Sequence, residues 1–353
     1  MSISLKNRVL WLDFARALAI FLVVLLHSTE MNGYIFTLKG VNNLDSIDQI
    51  IAFSFFVLGR LGVPIFLYLT GFLLVDREFG KWRDWIEFYK RHLIPLIFIF
   101  EIWVLIQIMF LSSMGASITY KGIIDTCLGG KTYRMIQMWY MPMIIGIYFL
   151  IPIISNLLKF TSKKLFKLIM LVLFFGTFFF PDINMFSNAL FLEDEKIFPE
   201  VNNKFCYIFY LLLGWYVKIS ERNYKKYLLW GSFIFSFLIT VVLQIFLYKN
   251  NFFYNIWYDF TLLPVCSISL FLLIYSYKNS LVCNEEIIKK IAIWSLGIYF
   301  IHPMIILMLK KVGLKFEIGY INAIITTIFS FSISAIMVMW IKKIPGIRKI
   351  VEI

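Results

Sequence analysis

Long apolar runs separated by short polar connections occupy nearly the whole chain. A run of about 20 apolar residues is long enough for a helix to cross the hydrocarbon core of a bilayer. The runs predict ten membrane-spanning helices, at residues 10–28, 48–75, 92–112, 138–158, 165–181, 204–219, 227–248, 255–276, 290–309 and 320–341. The pattern therefore predicts an all-α fold, a polytopic integral membrane protein in which residues 1–353 form a single membrane domain.

The longest polar connections fall at residues 29–47, 113–137 and 182–203. The last contains the acidic sequence "LEDEK" at residues 192–196, which is either a solvated loop or a contact for the polar groups of a substrate. The sequence shows no repeat of fixed period and no internal duplication of the kind common in transporters. The absence of an internal duplication is weak evidence against a carrier.

Composition supports the membrane assignment, because 61% of the residues are hydrophobic and 16% are charged, too few to cover a soluble protein. The net charge of +13 could indicate a nucleic-acid partner, yet most Lys and Arg residues fall in alternate connections, as on the cytoplasmic side of membrane proteins. We therefore expect both termini in the cytoplasm and no nucleic-acid partner. The loop with Lys310, Lys311 and Lys315 runs against this rule.

The first predicted span carries three ionisable residues, Asp13, Arg16 and His27. At about 100° per residue they share one helical face, and at about 1.5 Å per residue Asp13 and His27 are about 21 Å apart along the axis. Asp13 and Arg16 form either an ion pair at a helix end or part of a polar track through the membrane. His27 is either bonded to a neighbouring helix or a base, since imidazole suits proton transfer near neutral pH.

Arg60 lies inside the second predicted span, where an arginine costs at least about 2.5–3.5 kcal/mol unless it faces a partner or a polar cavity. Gly62 and Pro64 free backbone groups there, and Gly71 permits close approach of another helix. We expect this span to face the same polar interior as the first. A structural pairing of Arg60 with a carboxylate and a functional role are equally open.

A basic cluster follows the second span. It comprises Arg77, Lys81, Arg83, Lys90, Arg91 and His92. Cytoplasmic charge placement and contact with anionic lipid explain any one of these residues. The whole set would also suit the phosphates of a cytoplasmic donor. Glu101, inside the third span, could orient His27 or pair with Arg60.

Three further residues are candidates for substrate contact. Trp139 and Tyr140 open the fourth span and also fit an interfacial aromatic belt. His302, before Pro303, also fits a histidine bonded within the core. The four cysteines show no paired spacing, so we expect neither a metal site nor a disulfide. No phosphate-binding loop or nucleophile elbow is visible, so any nucleophile would have to come with the substrate.

Five stretches resemble, in order, the successive signatures of the integral-membrane acyltransferase 3 family. They are "LDFARALAIFLVVLLH", "GVPIFLYLTGFLL", "FYKRHLIPLIF", "MWYMPMIIGIYFLIPII" and "SLGIYFIHPMI". Each is a weak apolar pattern alone, whereas five in register between Trp11 and about Leu309 are a specific signal. Within the family, the arginine before "GVP" and the Trp-Tyr segment are most similar to the enterobacterial-common-antigen O-acetyltransferase type.

The resemblance implies transfer of an acyl group, commonly acetyl from cytoplasmic acetyl-CoA, to a hydroxyl of a surface polysaccharide or polyprenyl-linked sugar at a bacterial plasma membrane. It implies that His27 is the family's first-span histidine. It also implies that Asp13 and Arg16 occupy the preceding acidic and arginine positions, and that the basic inner loop is Arg77–Arg91.

The sequence departs from the family pattern at two places. Phe14 stands where a small residue is usual, and Arg91-His92 stands where members often carry more arginines. The second departure leaves open which residues bind the phosphates of the donor.

The resemblance and the residues together suggest a mechanism in which the basic loop binds the phosphates of acetyl-CoA and the pantetheine arm runs past Asp13 and Arg16. His27 would deprotonate an acceptor hydroxyl, whose oxygen attacks the thioester. Arg60 would stabilise the oxyanion and Glu101 would hold the imidazole tautomer. A covalent acetyl-histidine relay is a variant. A transporter or flippase for lipid-linked sugars and a non-catalytic membrane sensor are the competing classes.

Overall fold

The computed structural model describes residues 8–31, 46–191, 197–220, 222–250, 256–313 and 319–351. Within these ranges helices are the only regular secondary structure, and they confirm the predicted all-α, polytopic membrane fold. The acidic sequence at residues 192–196 and the lysine at 315 lie outside the described residues.

The helices follow one another along the chain with short connections. They are α1 (Leu10–Met31), α2 (Ser46–Arg60), α3 (Gly62–Leu74), α4 (Trp82–Phe88), α5 (Ile94–Ser113), α6 (Tyr120–Cys127), α7 (Tyr140–Lys159), α8 (Lys163–Phe174), α9 (Phe180–Phe191), α10 (Phe205–Ser220), α11 (Lys226–Lys249), α12 (Leu262–Ser276), α13 (Glu285–Lys311) and α14 (Gly319–Ile341). Single π-helical turns lie at Tyr89–Leu93 and Phe175–Phe179, and 3₁₀ turns lie at Ile136–Trp139 and Ile347–Ile350.

Eight of the ten predicted spans correspond to described helical segments that are long and apolar enough to cross a membrane. The other two correspond to α10 and α12, which have 16 and 15 residues and are therefore about 24 and 22 Å long at about 1.5 Å per residue. α12 begins later than the predicted residue 255, because residues 256–261 form turns before Leu262.

Prolines explain where the long helices are interrupted. The second predicted span breaks at Leu61 because Pro64 has no N–H to bond the Arg60 carbonyl, so α2 ends there and α3 begins. Pro95 likewise cannot bond the Arg91 carbonyl. The Ile94 N–H bonds instead to the Tyr89 carbonyl, five residues back, which produces the π-helical turn at Tyr89–Leu93.

The contacts divide the chain into two compact units. Unit 1 comprises residues 1–76, 158–292 and 316–325, and unit 2 comprises residues 77–157, 293–315 and 326–353. In unit 1, α1 packs against α2, α3 and α12, while α3 also packs against α10. In unit 2, α5 packs against the π-helical turn before it, α6 and the C-terminal 3₁₀ turn.

The closest helix crossing in unit 1 joins α3 and α10 through two glycines. A Cβ on Gly71 would lie 1.9 Å from the Leu211 carbonyl oxygen, and a Cβ on Gly214 would lie 2.2 Å from the Tyr68 carbonyl oxygen. Neither position can therefore hold a larger residue without separating the helices. This confirms the close approach predicted at Gly71.

Candidate active site

Unit 1 holds a buried chain of three ionisable side chains. His27 Nδ1 lies 2.9 Å from Oε2 of Glu30, and Oε1 of the same carboxylate accepts a hydrogen bond from Arg60 Nη2 at 2.9 Å. The three residues are 4%, 3% and 2% exposed, respectively. We call this set the His27–Glu30–Arg60 chain.

Helix geometry and two glycines bring the three side chains of the His27–Glu30–Arg60 chain together. His27 and Glu30 are three residues apart on α1, so their side chains share one face of the helix. Gly59 and Gly62 flank Arg60, and each lies against α1 so closely that a Cβ would come within 2.6 Å of Leu26 and 2.7 Å of the Ala19 carbonyl oxygen, respectively. The last turn of α2 therefore reaches α1 by backbone contact, which allows Arg60 to reach Glu30.

The hydrogen bonds determine the tautomer of His27. A carboxylate only accepts hydrogen bonds, so the proton between His27 and Glu30 lies on Nδ1. In the neutral imidazole the lone pair is then on Nε2, which is the arrangement that a general base requires. The Arg60 guanidinium balances the charge of Glu30, so the buried set of His27, Glu30 and Arg60 is neutral when the imidazole is neutral.

Aromatic rings surround the guanidinium of Arg60. Its Cζ lies 4.2 Å from the centroid of the Trp257 ring, 4.6 Å from Phe56 and 5.3 Å from Tyr258, distances at which a cation interacts with an aromatic face. The Tyr210 hydroxyl on α10 donates to the Tyr258 carbonyl at 2.7 Å. This bond ties the turn that carries two of the rings to a neighbouring helix.

The acidic partner that we expected in Glu101 is Glu30. Glu30 both bonds His27 and pairs with Arg60, whereas Glu101 lies in unit 2 with its carboxyl group beside Cys127. Glu30 lies outside the first predicted span, which ends at residue 28, and was therefore not among the predicted site residues. The signal that could have identified it is the spacing of three residues from His27, which places both side chains on one helical face.

At the start of α1, the structure shows an ion pair between Asp13 and Arg8. Arg8 Nε donates to Asp13 Oδ2 at 2.9 Å, and its Nη2 contacts the other carboxylate oxygen. The expected partner, Arg16, is half-buried on the same helix. The pairing of Arg8 with Asp13 could not be predicted, because Arg8 precedes the helix and its position relative to Asp13 does not follow from helical spacing.

In unit 2 the structure brings Arg77 and His92 together. Arg77 Nη1 donates to His92 Nε2 at 2.9 Å, and because a guanidinium can only donate, His92 is neutral in this bond. The Ser155 hydroxyl donates to the Arg77 carbonyl at 2.5 Å, and Phe88 lies under the guanidinium. The backbone and the side chain of Arg77 are thus both held in place.

The other basic residues of the cluster point to solvent or lipid. Arg83 and Lys90 are exposed, and Arg91 forms an exposed ion pair with Glu87 at 3.0 Å. Lys90, Arg91 and His92 all lie on the π-helical turn. Such turns widen the helix locally and are frequent at functional sites.

The sequence matches the acyltransferase domain family over residues 9–342. The chain belongs to this family of membrane acyltransferases. No curated protein and no solved structure matches the chain significantly.

The remaining candidate residues of the acyltransferase lie in unit 2 around Tyr299. The Tyr140 and Tyr299 ring centroids are 5.9 Å apart, and Trp139 contacts Tyr140 edge to face. His302 is fully buried one turn after Tyr299, and its Nδ1 lies 2.9 Å from the Ile298 carbonyl oxygen. Trp139, Tyr140 and His302 therefore belong to one aromatic region of the acyltransferase.

Proposed function

We propose that this membrane acyltransferase is an O-acetyltransferase of a bacterial plasma membrane. It moves an acetyl group from cytoplasmic acetyl-CoA to a hydroxyl of a cell-surface polysaccharide or polyprenyl-linked sugar. The observation that supports this proposal most directly is the His27–Glu30–Arg60 chain, because a carboxylate at Nδ1 leaves the lone pair of the neutral imidazole on Nε2, as a general base requires. The resemblance to the enterobacterial-common-antigen O-acetyltransferase type supports a glycan acceptor.

The reaction follows from the properties of the imidazole. His27 Nε2 takes the proton of the acceptor hydroxyl, and the oxygen attacks the thioester carbonyl to form a tetrahedral intermediate. The intermediate collapses, the carbon–sulfur bond breaks, and the imidazolium returns the proton to the leaving thiolate. Glu30 stabilises the transient imidazolium through Nδ1.

We assign Arg60 a supporting role in this mechanism. The sequence suggested that Arg60 stabilises the oxyanion, yet its Nη2 is bonded to Glu30 and its guanidinium lies against Trp257. A cation held in this way fixes the carboxylate and keeps its charge balanced. Asp13 and Arg16 are then expected to shape the approach to His27 from the start of α1.

The donor phosphates are assigned to the basic cluster of unit 2. Arg77 is held by Ser155 and His92, so its guanidinium is positioned before a phosphate arrives. The exposed Arg83, Lys90 and Arg91 can bind further phosphate oxygens at little cost, since their side chains are already in contact with solvent. They are the residue types that suit the several phosphate groups of CoA.

Replacement of His27 tests the proposal. We expect His27→Ala to abolish release of free CoA thiol when the purified protein is given acetyl-CoA and a polyprenyl-linked sugar acceptor. It should also remove the acetyl mass from surface glycans analysed by mass spectrometry. Membrane levels of the variant should match the wild type. Normal acetylation in His27→Ala would refute the role of His27, and a wild type that releases no CoA would favour a transporter.

A further inference from the structure

Among the residues that the structure describes, unit 2 contains two buried glutamines with side-chain amide atoms that have no hydrogen-bond partner. Gln137 is 1% exposed, and neither its Oε1 nor its Nε2 has a hydrogen-bond partner among the described residues. Gln107 is also 1% exposed, and in the described part of the chain its Nε2 has no acceptor. Burial of unpaired polar atoms is unfavourable, so such groups mark a place where a ligand can complete the bonds.

Both glutamines lie on elements that pack against the same turn of α13. The Tyr299 hydroxyl donates to the main-chain carbonyl of Gln137 at 2.6 Å, which anchors the 3₁₀ turn that carries Gln137. Phe300, the next residue, stacks on Trp103 with ring centroids 5.0 Å apart. Gln107 lies one helical turn after Trp103 on the same face of α5.

The chemistry of Gln137 selects the ligand. An amide with both an unpaired oxygen and an unpaired nitrogen needs a group that donates and accepts at once. A secondary amide has one N–H donor and one carbonyl acceptor and meets both needs. A phosphate would call for cations rather than for a neutral amide.

We propose that Gln137 binds a secondary amide of the pantetheine arm of acyl-CoA, and that Gln107 donates to the second amide of the same arm. The arm contains two such amides, and unit 2 contains two such glutamines. The inference rests on the proposed function in taking acyl-CoA as the donor. The basic cluster assigned to its phosphates belongs to the same unit.

This assignment differs from the path past Asp13 and Arg16 that we expected for the pantetheine arm. The Asp13 carboxylate is bound through both oxygens by Arg8, so it has less capacity to bind an amide. Gln137, in contrast, makes no side-chain hydrogen bond within the described residues that a ligand would have to replace.

The variant Gln137→Met separates ligand binding from folding. Methionine has nearly the same length and no strong hydrogen-bonding group, and the carboxamide that it replaces has no partner in the described protein. The variant should therefore fold at least as stably as the wild type. Loss of two neutral hydrogen bonds to the ligand should weaken pantetheine binding about thirtyfold, which corresponds to about 2 kcal/mol. Gln107→Met should have a smaller effect in the same direction.

The matched control is Asn184→Leu in unit 1. The amide of Asn184 is also buried, but it donates to the Phe198 carbonyl and accepts from the Phe198 N–H. Asn184→Leu should therefore lower the melting temperature without changing pantetheine affinity. A structural role of Gln137 would predict the same behaviour for Gln137→Met.

The experiment measures binding of free pantetheine to the full-length protein in nanodiscs by saturation-transfer NMR, with no acyl group present. We expect saturable binding to the wild type and weak binding to Gln137→Met. Wild-type affinity in Gln137→Met, or no binding to the wild type, would overturn the inference. His27→Ala should bind pantetheine normally, so failure of acetyl transfer and failure of this site give different results.

Discussion

Replacing Glu30 by glutamine reverses the hydrogen bonding at His27. The carboxamide in the Glu30→Gln variant can still accept from Arg60 through its oxygen, but its nitrogen then faces His27 Nδ1 as a donor. Two donors cannot bond each other, so the imidazole must move its proton to Nε2 or turn away. In either case the lone pair is no longer presented to the acceptor hydroxyl.

The structure indicates the size of the effect. In a histidine-based catalytic triad, replacing the orienting carboxylate by an amide lowers kcat about 10⁴-fold while the geometry persists. His27 Nδ1 makes the same kind of hydrogen bond to the Glu30 carboxylate, so we expect a loss of about 10²–10⁴-fold, or about 3–5 kcal/mol in activation free energy. The KM for acetyl-CoA should change little, because the donor phosphates are assigned to unit 2.

Stability should change as well, for a separate reason. Arg60 is 2% exposed, and Glu30→Gln removes the negative charge that balances it. Breaking a buried ion pair costs about 3–5 kcal/mol. The double variant Glu30→Leu with Arg60→Met removes both charges and leaves no acceptor for His27 Nδ1, so it should be more stable than Glu30→Gln without recovering activity.

The assay is thiol release from acetyl-CoA in the presence of a polyprenyl-linked sugar acceptor by purified protein in nanodiscs, together with thermal unfolding of the same samples. Glu286→Gln is the control, since Glu286 forms an exposed ion pair with Lys290, of a kind that contributes little to stability. A kcat for Glu30→Gln within about threefold of the wild type would refute the orienting role. Recovery of activity in the double variant would refute it too, because leucine provides no acceptor for Nδ1.

Two further predictions concern the donor site and the packing of unit 1. Arg77→Met should raise the KM for acetyl-CoA while kcat stays within a few fold, because Arg77 is assigned to phosphate binding. An unchanged KM in steady-state kinetics would contradict this role and leave Arg77 as a charge that only orients the protein in the membrane. Gly214→Ala should destabilise the protein by about 1–3 kcal/mol or more in thermal unfolding, because its Cβ would lie 2.2 Å from the Tyr68 carbonyl oxygen. Gly231→Ala has open space around its Cβ and should be neutral or slightly stabilising.

Hydropathy predicted most of the membrane architecture because the bilayer demands long apolar helices whatever their packing. The freed backbone groups at Pro64 and the close approach that Gly71 permits could also be predicted, since they follow from the missing N–H of proline and the missing side chain of glycine. The short lengths of α10 and α12 could not. Their sequences are as apolar as those of the longer helices, and the helix starts depend on contacts with distant residues, such as the Asp182 carboxylate that accepts from the Thr261 N–H at 2.7 Å.

The candidate site was predicted only in part, because an ion pair between two helices depends on how each helix is rotated about its axis and shifted along it. His27 and Arg60 could be selected as ionisable residues within apolar runs. The spacing of three residues relates Glu30 to His27, but the pairing of Glu30 rather than Glu101 with Arg60 depends on the crossing of α1 and α2. Gln137 could not be predicted as a binding residue for another reason, because a single uncharged polar residue gives no signal in hydropathy or charge.

At the glycines at positions 59, 62, 71 and 214, the helices of unit 1 near Arg60 approach one another so closely that a Cβ would meet the neighbouring helix. Contacts between side chains can adapt by changing rotamers, whereas contacts made by the main chain cannot. α1, α2, α3 and α10 are therefore expected to keep their relative positions throughout turnover. Any movement that admits an acceptor or releases a product is then expected in other helices and loops, while His27, the proposed base, keeps its position.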